Sequence, residues 1–402
     1  MAASLALPKQ SNKHMRLPVL IAITATSIGL AACGGGGSSG PSEEVLVPIA
    51  VAATSYENFK SVGLTPQPLP VGMSGVGTVR AYADFSRDGR LDLFTATLTY
   101  DVNKPLQEAT DSTFAFWVKQ PDGSYRKSTN LLRAGSSVGC IHPRKAIVAD
   151  FNADQRPDVF VACHGYDKEP FPGERNKVIL SQGDGTYITQ NASEDIGFFH
   201  SATAADINGD QRPDVLVTNN FEAETSVITL INQGNGSFLR ETRSGSLRFP
   251  TAVQGPKPYY SVELLDLDED GNLDVLLGGH EWQGAPTLAF LNPGNFEFGA
   301  VTPLEIPAVT GKGVVLDFTV TGTGAARTMW VLRTTDNSES AEDFYKGWAI
   351  QRVSGFGSTP LQSSVSSGTD PWFAWILPTT VSGSSVIASD DASVPIRVSV
   401  TP

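Results

Sequence analysis

"LDLDEDGNLDVLL", residues 265–277, places aspartates at 266, 268, 270 and 274 and then runs straight into an apolar segment. A solvated charge run does not stop so abruptly, and a core strand does not begin with four acids. The pattern returns as "DFSRDGRLDLF" from Asp84, "DFNADQRPDVFV" from Asp150 and "DINGDQRPDVLV" from Asp206. The four starts lie 66, 56 and 60 residues apart, and self-similarity on that scale dictates a repeat architecture. An alternating apolar stretch precedes each copy ("KAIVA" at 145–149, "SVELL" at 261–265), and an apolar run follows it. The unit reads as strand, tight loop, strand.

A second landmark follows in each copy. The stretches 114–128, 178–190, 228–241 and 288–301 each read as strand, Gly-containing turn, aromatic, strand, which is a hairpin. Each module is therefore a four-stranded antiparallel sheet with the Asp loop between its first two strands. Two weaker modules follow. Residues 314–334 keep Asp317 but carry Thr319 and Thr321 where loop ligands stand elsewhere, and 372–389 have lost the acids. The terminal "IRVSVTP" leaves the last sheet one strand short, and 55–70 look like the missing outer strand. An N-terminal strand added there closes the ring and removes both open edges. The expectation is an all-β propeller of six blades over 55–402, or seven if 43–79 holds a diverged blade. With 39 Gly, 26 Pro and only 18% charged residues, composition favours many short strands.

The loop spacing turns alternate side chains inward, as calcium requires of a loop that supplies oxygens at short range. The ligand sets read Asp84, Ser86, Asp88, Arg90 and Asp92; Asp150, Asn152, Asp154, Arg156 and Asp158; Asp206, Asn208, Asp210, Arg212 and Asp214; and Asp266, Asp268, Asp270, Asn272 and Asp274. The residues at 90, 156, 212 and 272 offer a backbone carbonyl. Four loops make room for up to four calcium ions. Gln155 and Gln211 stand where the other two loops have glycine, which points to weaker binding or a shifted bend there. The bland alternative is an exposed strand face, which one copy would allow and four matching copies argue against.

These loops resemble the FG-GAP/VCBS repeats of integrin-α-like β-propellers, strongly over about 80–300 and weakly beyond. The resemblance implies the propeller fold and calcium loops, and no particular activity, since such modules serve adhesion, carbohydrate-associated proteins and a few lyases. No G-x-S-x-G, H-E-x-x-H, phosphate loop or cofactor fingerprint is present. The net charge of -13 argues against nucleic acid as partner.

The N-terminal region reads as an export signal over 1–32, with Met15 a candidate true start: one Arg, an apolar stretch to Ala31, then "LAAC" ending at Cys33. A buried helix or a marginal membrane anchor is the alternative. "LAAC" resembles the bacterial lipobox, which implies lipid on Cys33, a membrane partner through that anchor, and the outer membrane as location. Residues 33–54 then form a flexible tether. Cys140 and Cys163 remain as an even pair, either one disulfide or two free thiols.

In such a ring the connections entering strand one and leaving strand two share the face opposite the Asp loops. Four of the five histidines fall there: His142, His164, His200 and His280. Arg144, Lys145, Asp167, Glu281 and Trp282 join them as ligand-face candidates. The functional reading is a monomeric module that binds a glycan or protein ligand, for adhesion or scaffolding. The alternative is a lyase-like enzyme on polysaccharide, using His164 with Asp167 or His280 with Glu281. The bland reading is that loops collect polar residues and that histidines cap strand ends.

Overall fold

The computed structural model describes residues 46–402 apart from 62–63, 74–77, 100, 102, 221–225, 243–247, 251–252, 254, 256, 336–344, 358, 370–372 and 402. The export signal, Cys33 and most of the expected tether lie outside the described residues.

Six antiparallel sheets follow one another along the chain. Blade I holds β1 (Thr78–Ala83), β2 (Asp92–Thr97), β3 (Thr113–Lys119) and β4 (Tyr125–Lys127). Blade II holds β5 (Pro143–Ala149), β6 (Asp158–Cys163), β7 (Lys177–Ser181) and β8 (Tyr187–Asn191). Blade III holds β9 (Phe199–Ala205), β10 (Asp214–Asn219), β11 (Val227–Asn232) and β12 (Phe238–Arg240). Blade IV holds β13 (Tyr259–Leu265), β14 (Asp274–Gly279), β15 (Leu288–Phe290) and β16 (Leu304–Glu305). Blade V holds β17 (Val314–Thr321), β18 (Thr328–Thr334), β19 (Trp348–Ser354) and β20 (Leu361–Gly368). Blade VI holds β21 (Ile376–Val381), β22 (Ser384–Ser389) and β23 (Arg397–Ser399). The first strands β1, β5, β9, β13, β17 and β21 pack side by side in that order, so the sheets radiate from a common axis. This is a six-bladed β-propeller.

Every Asp loop joins strands one and two of its blade, as the sequence predicts. Position two of each loop (Phe85, Phe151, Ile207, Leu267) is buried and fills the seam to the next blade. The Phe151 ring meets Phe238 of blade III at 5.5 Å, and Phe116 of blade I meets Tyr187 of blade II at 4.5 Å. Sheets covered on both sides explain why strands two read as continuous apolar runs.

Blade V departs from the expected alignment. Asp317 lies within β17, not in a loop, and the hairpin turn comes later, at 322–327. In blade IV the strand expected before 301 forms at Leu304–Glu305 instead.

Ring closure also differs from expectation. The last sheet has three strands, and Gln67 makes one parallel bridge to Asp391 in place of an outer strand. Residues 54–61 fill the central channel. Ser55 Oγ lies 3.1 Å from Thr203 Oγ1 in blade III, Tyr56 OH 3.0 Å from Thr319 Oγ1 in blade V, and Asn58 Nδ2 donates to Val148 O in blade II. Lys60 Nζ, 2.5 Å from Asp317 Oδ1, is fully enclosed. Across the same channel Lys145 of blade II pairs with Glu263 of blade IV. Blades I and VI are joined by the bidentate Arg80–Asp390 pair, with Leu64 wedged between Tyr82 and Leu377. A channel lined by buried acids needs cations more than it needs another strand, and Lys60 supplies one. Residues 46–53 also lie on the propeller, with Ile49 N donating to Asp84 Oδ2, so the body of the domain starts before the predicted 55.

Candidate functional site

The face opposite the Asp loops carries a continuous arc of rings. His142 and His164 are 5.0 Å apart, His164 and His200 4.7 Å, His200 and Tyr260 4.1 Å. Tyr260 and His280 follow at 5.1 Å, then His280 and Trp282 at 5.6 Å. The arc spans blades II, III and IV.

A repeated backbone device aims these side chains. The first strand of each of the three blades carries a β-bulge, and the residue skipped by the pairing register is Arg144 in β5, His200 in β9 and Tyr260 in β13. A bulge leaves its extra residue unpaired and re-aims its side chain. All three stand six positions before the first Asp of their loop. His164 and His280 are likewise equivalent, six positions after the last loop Asp of blades II and IV.

Arg144 is the hub of the arc. Nη1 donates to His142 Nε2 at 3.0 Å, and Nη2 donates to His200 Nδ1 at 3.1 Å and to Tyr345 OH at 2.8 Å. Burial and the adjacent guanidinium depress the histidines: His164 falls to about 3, and His142 and His200 drop well below their usual range. At neutral pH these three are therefore uncharged imidazoles around one cation. Burial raises the Asp167 carboxyl, while the field of Arg144 opposes that rise.

The Cys140–Cys163 disulfide (Cα–Cα 6.0 Å) lies immediately beside this arc and ties the entry of β5 to the end of β6. Glu174 accepts from the backbone N–H groups of Ile141 and His142, and His164 N donates to His142 O at 2.9 Å. His142 and His164 thus sit on pinned backbone.

Two expected members are elsewhere. Lys145 turns into the channel, 2.5 Å from Glu263. Glu281 accepts from Arg333 Nη1 and Thr287 Oγ1, both at 2.8 Å, and ties blade IV to blade V. Next to a bulge the neighbouring side chain faces the other way, which accounts for Lys145. The sequence places 257–261 on this face without singling out Tyr260, and gives no sign of Tyr345. The shared position relative to the loops was the available signal for Tyr260; Tyr345 has no counterpart in the repeats.

On the loop face the aspartates divide by role. The last Asp of each loop is wholly buried and ties loop to sheet. Oδ1 of Asp92, Asp158, Asp214 and Asp274 accepts from Lys119, Ser181, Asn232 and Asn292 N, while Oδ2 accepts from loop N–H groups. Burial pushes Asp158 and Asp274 up to about 7. In the first and third loops the fifth-position acids Asp88 and Asp210 pair with Arg90 and Arg212, and in the second Asp154 accepts from Ser181 Oγ. The fourth loop has Asn272 in place of that arginine. There the carboxylates of Asp266, Asp268 and Asp274 come within 4.8 Å of one another, and Asp266 Oδ1 is buried with no donor. Burial, then Asp270 and Asp266, raises the Asp268 carboxyl. This donor set fits a divalent cation. An ion in the first or third loop would have to displace an arginine.

Gln155 (φ 63°) and Gln211 (φ 69°) adopt the same left-handed bend as Gly89 (φ 83°) and Gly271 (φ 89°), and their N–H groups reach the first Asp as in the other loops. The bend is not shifted.

Residues 150–217, from the second loop into the third blade, match the FG-GAP-like repeat family. With that match and six blades, the chain is a β-propeller in which residues 150–217 match the FG-GAP-like repeat. No curated protein matches it. Among solved structures it is similar to a protein from Bifidobacterium bifidum s17 named for exo-β-1,3-galactanase activity, at TM-score 0.40 and 7% identity over 75% of this chain and 96% of that one. It is also similar to the exotype rhamnogalacturonan lyase YesX, at TM-score 0.40 and 12% identity over 88% of this chain and 68% of that one.

Proposed function

We propose that this propeller is a carbohydrate-binding module whose ligand sits on the bulge face, with calcium in the Asp266 loop holding the opposite face together. The observation that carries this reading is the convergence of Arg144, His200 and Tyr260 from three successive bulges beside the half-exposed Trp282. Polar groups fixed next to an aromatic platform suit a sugar, whose hydroxyls need hydrogen bonds and whose ring face needs apolar contact. A glycan array tests it. The parent protein should be retained on particular glycans and Trp282→Ala should not; retention of both alike, or of neither, removes the reading.

A bound calcium would supply positive charge to Asp266, Asp268 and Asp274 and so relieve their mutual repulsion. Export with lipid on Cys33 belongs to the same proposal and is supported by the Cys140–Cys163 disulfide, which suits an oxidising compartment. Mass spectrometry of the N-terminal peptide from membranes tests that part. A lyase reading draws on one specific contact, the neutral His200 ring against Tyr260 at 4.1 Å, where His200, accepting from Arg144 at Nδ1, would offer Nε2–H as a proton donor. Conversion of a retained glycan to shorter unsaturated products would support it over simple binding.

A further inference from the structure

We infer that the group this site takes from its glycan is a carboxylate, presented by a uronic-acid residue and held by Arg144. The inference rests on the carbohydrate reading above and specifies its ligand class.

Other buried arginines have their own carboxylates: Arg80 pairs with Asp390, Arg333 with Glu281, and Arg248 with Glu241. Arg144 does not. Its hydrogen-bond partners are His142, His200 and Tyr345, none of them an acid, and no carboxylate comes within ion-pair reach of it among the described residues. Asp167 feels its charge, which opposes the rise that burial causes in its carboxyl. A partly buried guanidinium without a counter-ion is costly to hold, and the fold holds this one with a repeated bulge and a disulfide-pinned histidine. That investment is explained if the counter-ion arrives with the ligand.

The hydrogen-bond count agrees. A guanidinium has five N–H donors. Three are committed here, which leaves Nε–H and the second Nη1–H on different edges of the group; a carboxylate would take one of them, or would take the Nε–Nη2 edge by replacing Tyr345 on Nη2, as Asp390 and Glu241 do on Arg80 and Arg248. His142, His164 and His200 beside Arg144 are held neutral by burial and its charge, so they bring no second cation to compete. Asp167 is the acid in the field of Arg144, and the whole chain carries a net charge of -13. Charge selection is thus local to one side chain. The sugar that bears the carboxylate would lie along Tyr260 towards Trp282, whose ring is 50% exposed.

The test is calorimetric titration of the intact propeller with a panel of oligouronates (galacturonate, glucuronate, mannuronate), each beside its carboxyl-reduced neutral form. The parent should bind at least one acid form at least tenfold more tightly than its reduced counterpart. Arg144→Gln should bind both forms alike, at the parent's affinity for the neutral sugar. If that variant does not fold, the parent alone still decides: its preference for the acid form should shrink as ionic strength rises from about 0.05 to about 0.5 M, while neutral-sugar binding stays level. Equal binding of acid and reduced forms by the parent overturns the carboxylate inference and leaves the carbohydrate reading standing. Binding of oligoglutamate but of no uronate overturns it in favour of an acidic peptide. Absence of binding to the panel overturns it as well, and the glycan array then shows whether the carbohydrate reading falls with it.

Discussion

At the scale of single residues, each Asp loop requires two left-handed positions, the fourth and the sixth. The sixth is Gly89 and Gly271 in two loops and Gln155 and Gln211 in the others. A side chain with a Cβ in that region is strained by about 1 kcal/mol or more, partly offset by the lower entropy of its unfolded state. Gln211→Gly should therefore raise stability by up to about 1 kcal/mol, read from urea unfolding, and Gly271→Ala should lower it. A lowered midpoint for Gln211→Gly would show that its side chain makes contacts that outweigh the strain. The glutamines were legible as departures from the repeat. That they keep the same bend was not, because backbone strain is settled by what the loop's carboxylates hold in place.

At the scale of elements, the last Asp of each loop does the joining. Asp158 accepts from Phe151 N in its own loop and from Ser181 N in the third strand, so its removal orphans two buried donors. Asp158→Ala should destabilise by about 3 kcal/mol with or without calcium. Asp268 is different: only a bound ion gives it a partner beyond Asp270 N. Calcium at about a hundred times its Kd should raise stability by about 2.7 kcal/mol. Asp268→Ala should lose most of that increment while melting like the parent in chelator. An unchanged melt on adding calcium to the parent would make the loop a turn without an ion. The disulfide is a third element-level tie. With its cysteines 23 positions apart it should contribute about 3 kcal/mol, and its reduction should lower both the melting temperature and glycan retention, since it lies beside the ring arc.

For the whole molecule, the polar channel and the buried histidines make stability depend on pH. The unfolded His164 takes up a proton near pH 6.5 and the folded one only near 3. Acid therefore favours the unfolded chain between those values, and stability falls as pH drops below about 7. Asp158, raised to about 7, has the opposite sign: its folded form is protonated first, so acid stabilises through it. Comparing variants separates the two. Between about pH 7.5 and about pH 5.5, His164→Gln should lose about 1.4 kcal/mol less stability than the parent, in paired chemical melts. Identical pH slopes would mean that His164 is protonated in the folded protein. The plug has a test at this scale too. Lys60→Met leaves Asp317 facing Glu263's side of the channel without its cation, and the melting temperature should fall by an amount worth about 3 kcal/mol.

The repeated aspartate loop determined, from sequence alone, the strand–loop–strand unit, the four-stranded blade and a ring of six or seven of them, because a period of two in the strands and fixed spacing in the loops leave little else for those residues to form; the structure settled six. It also determined that His142, His164, His200 and His280 share one face, since topology alone sets which connections lie together. Tertiary structure decided the rest. That Arg144 faces the ligand side while Lys145 turns inward depends on a bulge, which one residue of register creates and no composition announces. That residues 54–61 plug the channel and leave the last blade at three strands depends on buried acids from distant blades, Asp317 above all. A segment read as the outer strand that the last sheet lacked instead places its one lysine against Asp317, because an unpaired charge in a closed channel outweighs the hydrogen bonds of one more edge strand.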